Sequence, residues 1–239
     1  MKSPRLLPLL VLLMLPTHAV HAAADDYVYT LNIEAGETEL DFKAGQARQS
    51  DGSRAGAGSI GLGYGVSDTW WTEGYLRRDG ANRANVLEWE NRLILWQNGV
   101  QKLGVVSELA APLTQRNPWE LRLGLLWQQC STDWQFNANL LFERAFGRAD
   151  EHGQPYQTNL GYQLQARQID TDHLAWGVQA MGEMGQWNRW DSSRLHTHRA
   201  GPALFGKLGK DWHYNAAWLI GLTTGAAQQT LRLQLEYEL

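Results

Sequence analysis

The sequence predicts an all-β chain: a transmembrane, antiparallel, up-and-down β-barrel of about twelve strands, with ten as the alternative. Three observations point there. A secretory leader opens the chain, twelve tryptophans occur in 239 residues, and the last residues alternate strictly, with Leu231, Leu233, Leu235, Tyr237 and Leu239 set against Arg232, Gln234, Glu236 and Glu238. A strand with one wholly apolar and one wholly polar face separates lipid from a wet or polar interior. Tryptophan at this density fits girdles at two membrane interfaces.

The leader has a basic start (Lys2, Arg5), an apolar stretch from Leu6 to Leu15 and a small-residue exit at Val20-His21-Ala22 or Ala22-Ala23-Ala24. This is a signal peptide over residues 1–24, cleaved after Ala22 or Ala24 and too short to anchor. The only cysteine, Cys130, lies far from the cleavage site, so neither a lipid-modified N-terminus nor an internal disulfide is expected. Removing Lys2 and Arg5 from 21 basic side chains leaves 19 against 25 acidic ones, a net of −6. That balance argues against a nucleic-acid partner, which needs a basic surface. No stretch of the mature chain holds eighteen consecutive apolar residues, so a helical span is excluded too.

The elements follow in order. Residues 25–36 form an N-terminal lead, read as periplasmic, in which Tyr27 to Ile33 also alternates; a lead-in, an extra strand and a plug all fit it. Residues 37–239 form the barrel. The first strand, Thr38 to Arg48, sets Leu40, Phe42 and Ala44 against Glu39, Asp41 and Lys43. The second, Ala57 to Val66, alternates Ile60, Leu62, Tyr64 and Val66 with serine and glycine, then turns at Ser67-Asp68. The third, Trp70 to Arg78, groups Glu73, Tyr75 and Arg77. The fourth, Val86 to Trp96, opposes Leu87, Trp89, Leu93 and Leu95 to Glu88, Glu90 and Arg92, before the hairpin signal Asn98-Gly99.

The fifth, Gln101 to Ala111, carries Leu103, Val105 and Leu109 against Lys102 and Glu108. In the sixth, Trp119 to Gln128, tryptophans close both ends of one apolar stripe, opposite Glu120 and Arg122. The seventh, Trp134 to Phe146, has Glu143 among its polar residues. The eighth, Tyr156 to Arg167, and the ninth, His173 to Met184, put Arg167 and Glu183 on their polar faces. The tenth runs from Arg199 to Leu208, the eleventh from Asp211 to Leu222 with Trp212, Tyr214, Trp218 and Ile220 outward, and the twelfth closes the chain. Connections are short after even-numbered strands and longer after odd ones, as periplasmic turns and external loops are; an even strand count puts both termini in the periplasm.

Polar faces turned inward give the lumen-lining candidates Glu73, Arg77, Glu88, Glu90, Arg92, Glu108, Glu120, Arg122, Glu143, Arg167, Glu183, Arg199 and Arg232. The apolar faces give the interface aromatics Trp70, Trp89, Trp119, Trp127, Trp134, Trp176, Trp212, Trp218 and Tyr237. Twelve strands about 4.8 Å apart and tilted about 40° give a backbone radius of roughly 12 Å. That leaves a passage about as wide as a small molecule, or none where the long side chains interlock. Acids and bases nearly balance, so the basic excess expected of an anion porin is missing.

Chemistry is not evident. None of His152, His173, His196, His198 or His213 is followed by serine at the next position or the one after, which removes the signature of a phospholipase barrel. The 185–198 loop with its flanks holds Glu183, Trp187, Arg189, Trp190, Asp191, Ser192, Ser193, His196 and His198, best read as a polar external loop. Two histidines at i, i+2 give half a metal site. No catalytic residue, metal site or cofactor is expected, and Cys130 is read as an incidental thiol in a turn.

The stretches Gly36 to Lys43, Gly61 to Val66, Glu88 to Asn91, Gly182 to Gly185, Ala200 to Lys207 and Leu231 to Glu238 resemble a family of Gram-negative outer-membrane β-barrel proteins known mainly as uncharacterised sequences. The resemblance implies fold and an outer-membrane address, with membrane lipid and the barrel-insertion machinery as partners. It transfers no site residue. Such barrels commonly end in phenylalanine, whereas Leu239 ends this chain, which weakens its signal to that machinery. The expected function is a narrow channel or transport-type barrel for small solutes. A closed structural or surface-interaction barrel with a charge-packed interior is the alternative, and a lipid-modifying enzyme the remote third.

Overall fold

The computed structural model describes residues 24–80, 84–113, 118–147, 157–169, 174–190 and 196–239. The segment ahead of Ala24 predicted to be a signal peptide, together with His152, Tyr156, His173 and residues 191–195, lies outside them.

Twelve long antiparallel strands close on themselves: β1 (Thr38–Arg48), β2 (Arg54–Ser67), β3 (Trp70–Asp79), β4 (Ala84–Gln97), β5 (Gln101–Pro112), β6 (Trp119–Cys130), β7 (Trp134–Phe146), β8 (Thr158–Gln168), β9 (Ala175–Gln186), β11 (Thr197–Leu208), β12 (Trp212–Gly221) and β13 (Gln229–Glu238). A two-residue strand, β10 (Arg189–Trp190), folds back on the end of β9. The barrel shuts where the last strand meets the first, with Leu40 opposite Tyr237 and Arg48 opposite Gln229. Closure removes the free sheet edge and pairs the backbone polar groups that hydrocarbon cannot satisfy.

Twelve spanning strands answer the sequence pattern. Strand ends differ by a few residues, as at β2, which begins at Arg54 rather than Ala57 because the ladder with β1 runs on to Arg48. Cys130 is the last residue of β6 rather than part of a turn. Connections at one end are short, as at 68–69, 98–100, 131–133 and 209–211; this is the turn end. Gly99 there adopts φ +86, which the hairpin after Asn98 requires. The opposite, loop end carries the longer connections 147–157 and 187–196.

The outer face is apolar. Leu62, Leu87, Leu123, Leu125, Val178, Leu204 and Leu231 are exposed there. Trp70, Trp127, Trp134, Trp176, Trp212 and Tyr237 stand toward the turn end, and Trp89, Trp119 and Trp218 toward the loop end. Trp134 meets Trp176 edge-on at 5.3 Å, and Trp212 lies 4.9 Å from Tyr237.

Candidate functional site: the occupied lumen

The lead expected in the periplasm is inside the barrel. Tyr29, Leu31 and Ile33 are buried against Trp71, Ile94, Val106, Leu126 and Leu141 of β3–β7, and Leu31 is 0% exposed. Val28 turns the other way, onto Ala175, Met181, Phe205 and Leu219. An extended chain with apolar residues on alternate sides cannot stay in water when two apolar walls are within reach. Of the readings open to this segment, the plug is the one the structure contains.

Its polar backbone is satisfied by wall side chains in place of a strand ladder. Gln163 accepts from the Tyr29 amide at 3.1 Å and donates to the Tyr27 carbonyl at 2.7 Å, imitating a β-bridge. Gln128 accepts from the Leu31 amide at 2.7 Å, while Asn139, Arg92 and Lys102 donate to the carbonyls of Tyr29, Thr30 and Leu31. Arg232 donates to the Asp26 carbonyl and to Gln179. A buried peptide group left unpaired is costly, so this set of donors and acceptors fixes the plug in one register.

The wall is shaped to admit it. A Cβ at Gly45 would lie 1.9 Å from the Ala24 carbonyl oxygen, and one at Gly65 1.9 Å from that of Glu34. A Cβ at Gly104 would fall 2.8 Å from the Leu31 side chain. At the turn end Gly36, φ +84, reverses the chain from lumen into β1, its amide donating to the Gly65 carbonyl at 2.8 Å. Thr38 and Leu239 are hydrogen-bonded neighbours at this end. Ala24, by contrast, packs on Ala47 and Ala227 at the loop end. The two ends of the barrel proper therefore share a side, as an even count requires, but the segment ahead of them threads the whole lumen.

The charged candidates concentrate on β3–β7. Glu73, Glu90, Glu108, Arg122 and Glu143 stand directly opposite one another across four successive strand pairs. Like charges so placed repel, and four of these five are carboxylates. Arg122 bridges Glu108 at 3.1 Å and Glu143 at 2.8 Å, and Arg92 takes Glu90 at 2.9 Å. The plug supplies the rest: Tyr27 donates its hydroxyl to Glu90, which is 0% exposed, and Tyr29 donates to Glu108 at 2.8 Å. Lys43, paired with Asp41, sits 3.6 Å from the ring centres of both Tyr27 and Tyr75. Nearer the loop end, Arg77 bridges Glu88 and Asp25 of the plug.

The remaining candidates lie elsewhere on the inner wall. Glu120 is half-buried one row above Arg122, Arg199 donates to Thr230, Glu183 stands opposite Thr197, and Arg167 stacks on Phe205 at 5.2 Å. Among the described members of the loop constellation, Glu183 points inward, while His198 points outward and meets the Tyr162 hydroxyl at 3.0 Å.

Alternation alone missed the plug's receptor. Trp71, Ile94, Val106, Leu126 and Leu141 are inward and apolar, yet each adjoins an outward apolar residue: Trp70-Trp71, Leu93-Ile94-Leu95, Val105-Val106, Leu125-Leu126, Leu140-Leu141. In strands whose interior should be polar, such doublets mark an apolar lumen, and they fall on five consecutive strands.

Among the described residues, cavities flank the plug, and one of about 360 Å³ at the turn end is lined by both plug and wall. Its mouth is acidic: burial and the neighbouring carboxylates Glu34 and Glu238 push the Glu37 carboxyl above its ordinary range.

The barrel is similar to several solved channels. The COG4313 outer membrane channel from Pseudomonas putida F1 gives a TM-score of 0.65 at 12% identity, covering 90% of this chain and 98% of that one. The NanC porin gives 0.64 at 11% identity, covering 84% and 100%, and the KdgM porin 0.60 at 10%, covering 83% and 98%. This is the fold of Gram-negative outer-membrane β-barrels. At such identities the likeness is one of fold. No protein-family model and no curated protein matches the chain.

Proposed function

We propose that the protein is a narrow outer-membrane channel for small solutes whose path is occupied by its own N-terminal segment, residues 25–35. The observation that carries this reading is the manner of plugging. The segment is joined to the wall by hydrogen bonds, ion pairs and close packing, with no strand ladder, so it can leave without opening the barrel. Among the described residues, the ion pairs between wall side chains join neighbouring strands or the same strand, and none spans the lumen as the plug does. Removing it therefore vacates a continuous tube. The solved channels that share the fold support passage as its use, and the turn end is placed in the periplasm with the outer aromatics at the two lipid interfaces.

Planar-bilayer recording of the full chain and of a chain lacking residues 25–35 tests the proposal. Small or rare openings in the first and frequent, larger ones in the second are expected. Absence of discrete conductance from a folded, plug-free barrel overturns it and favours the charge-packed structural barrel, in which the segment serves as a permanent core.

A further inference from the structure

We infer a divalent transition-metal site, of the zinc class, on the inner wall at the turn end, formed by Glu39, His213 and Glu236. The three come from adjacent strands β1, β12 and β13, with His213 directly opposite Glu236 and Glu39 one pleat along from Glu236's own partner, Asp41. One ligand atom from each lies within 4.8 Å of the others. Imidazole with two carboxylates is a set that zinc accepts, leaving a fourth position toward the cavity. Zinc–ligand bonds of about 2.0–2.2 Å draw donors to roughly 3.3 Å apart, a closure that rotation of the Glu39 and Glu236 side chains supplies.

Independent observations at the same place point to a cation-binding role. His213 Nε2 is shielded from solvent and has no hydrogen-bond partner. Asp41, 3% exposed and lining the same cavity, has its Oδ1 unpaired although Oδ2 is held by Lys43 and Gln234. Six carboxylates and three basic side chains line this cavity; Arg92 is committed to Glu73 and Glu90, and no ion pair joins Arg167 or Lys207 to Glu39 or Glu236 among the described residues. The half-buried Glu39 and Glu236, next to the buried Asp41, call for a compensating charge, and a bound dication supplies it. The site does not depend on the channel reading.

The test uses the intact barrel in detergent, stripped of metal and titrated calorimetrically with Zn²⁺. One saturable site per chain is expected. It should weaken more than about tenfold in Glu236→Gln and in His213→Ala. It should remain in a His196→Ala/His198→Ala chain and persist against excess Ca²⁺ or Mg²⁺. Heat-modifiable gel migration checks folding, and His213→Gln, which keeps a side chain of similar reach, serves if His213→Ala does not fold. Lack of saturable binding, unchanged affinity in folded His213 and Glu236 variants, displacement by Ca²⁺, or loss of the site with His196 and His198 overturns the assignment.

Discussion

The amide of Leu31 donates to Gln128 Oε1 at 2.7 Å, in a place where both residues are shut away from water. The Gln128 Nε2 turns at the same time to Asn32 Oδ1 at 2.8 Å, so a single wall side chain grips two consecutive plug residues. Changing Gln128 to Leu leaves the Leu31 amide without an acceptor, at a cost of about 1–3 kcal/mol to the docked plug. The expected result is a tenfold or greater rise in single-channel open probability, with barrel melting little altered. An unchanged open probability contradicts the assignment of Gln128 as a clamp.

Gly45 and Gly65 leave no room for a side chain while the plug is present. Gly45→Val and Gly65→Val should therefore displace the segment at the loop end and the turn end respectively. Limited proteolysis of the folded protein checks this: cleavage between residues 24 and 36 should become rapid in both variants, while the barrel fragment stays intact.

Arg122 joins Glu108, Glu143 and the Tyr29 hydroxyl. Arg122→Met strands two carboxylates, and the barrel should lose roughly 3 kcal/mol, read as a lower temperature of conversion to the unfolded gel band. Adding Glu143→Gln should return part of that loss, because one of the stranded charges goes with it. Strict additivity of the two changes counts against a shared network.

Leu125 is 58% exposed at the middle of β6. If that face meets lipid, Leu125→Arg costs about 2–4 kcal/mol in urea-dependent folding into vesicles. The same substitution on an ordinary wet surface would be nearly neutral, so the measurement identifies the solvent.

Leu239 is exposed, and its amide donates to the Thr38 carbonyl. Leu239→Phe should leave the stability of the folded barrel unchanged while raising the fraction of protein assembled in cells, as judged by heat-modifiable material in the outer-membrane fraction. No gain in assembly removes the terminal residue from the insertion signal.

The fold was legible because a barrel writes itself into alternate residues. Trp119 to Trp127 show it in β6, and Leu231 to Tyr237 in β13, with local periodicity sufficient to fix which side faces out. The candidate site was legible only in part. Alternation places Glu90, Arg92 and Arg122 on the inner wall, but it does not say which rows align, since register depends on every intervening turn and bulge, such as the shift at Ile94/Trp96. The plug was harder still. Tyr27 to Ile33 carries a strand's pattern without a strand's partner, and its docking rests on Gln128, Asn139 and Gln163, which look like any other polar interior positions. Likewise Glu39, His213 and Glu236 are gathered only by closure of the first strand on the last.

The hydroxyls of Tyr27 and Tyr29 rest on two members of the carboxylate row that spans β3–β7. The segment that obstructs the tube thus also conceals its charge. Once the tyrosines withdraw, Glu90 and Glu108 lose their hydroxyl donors, keep only Arg92 and Arg122 as partners among the described residues, and face water from one half of the wall. On the proposed channel reading, ion preference is then a property of the vacated state: one movement of a short peptide would both clear the way and unmask the field that sorts the entering ions.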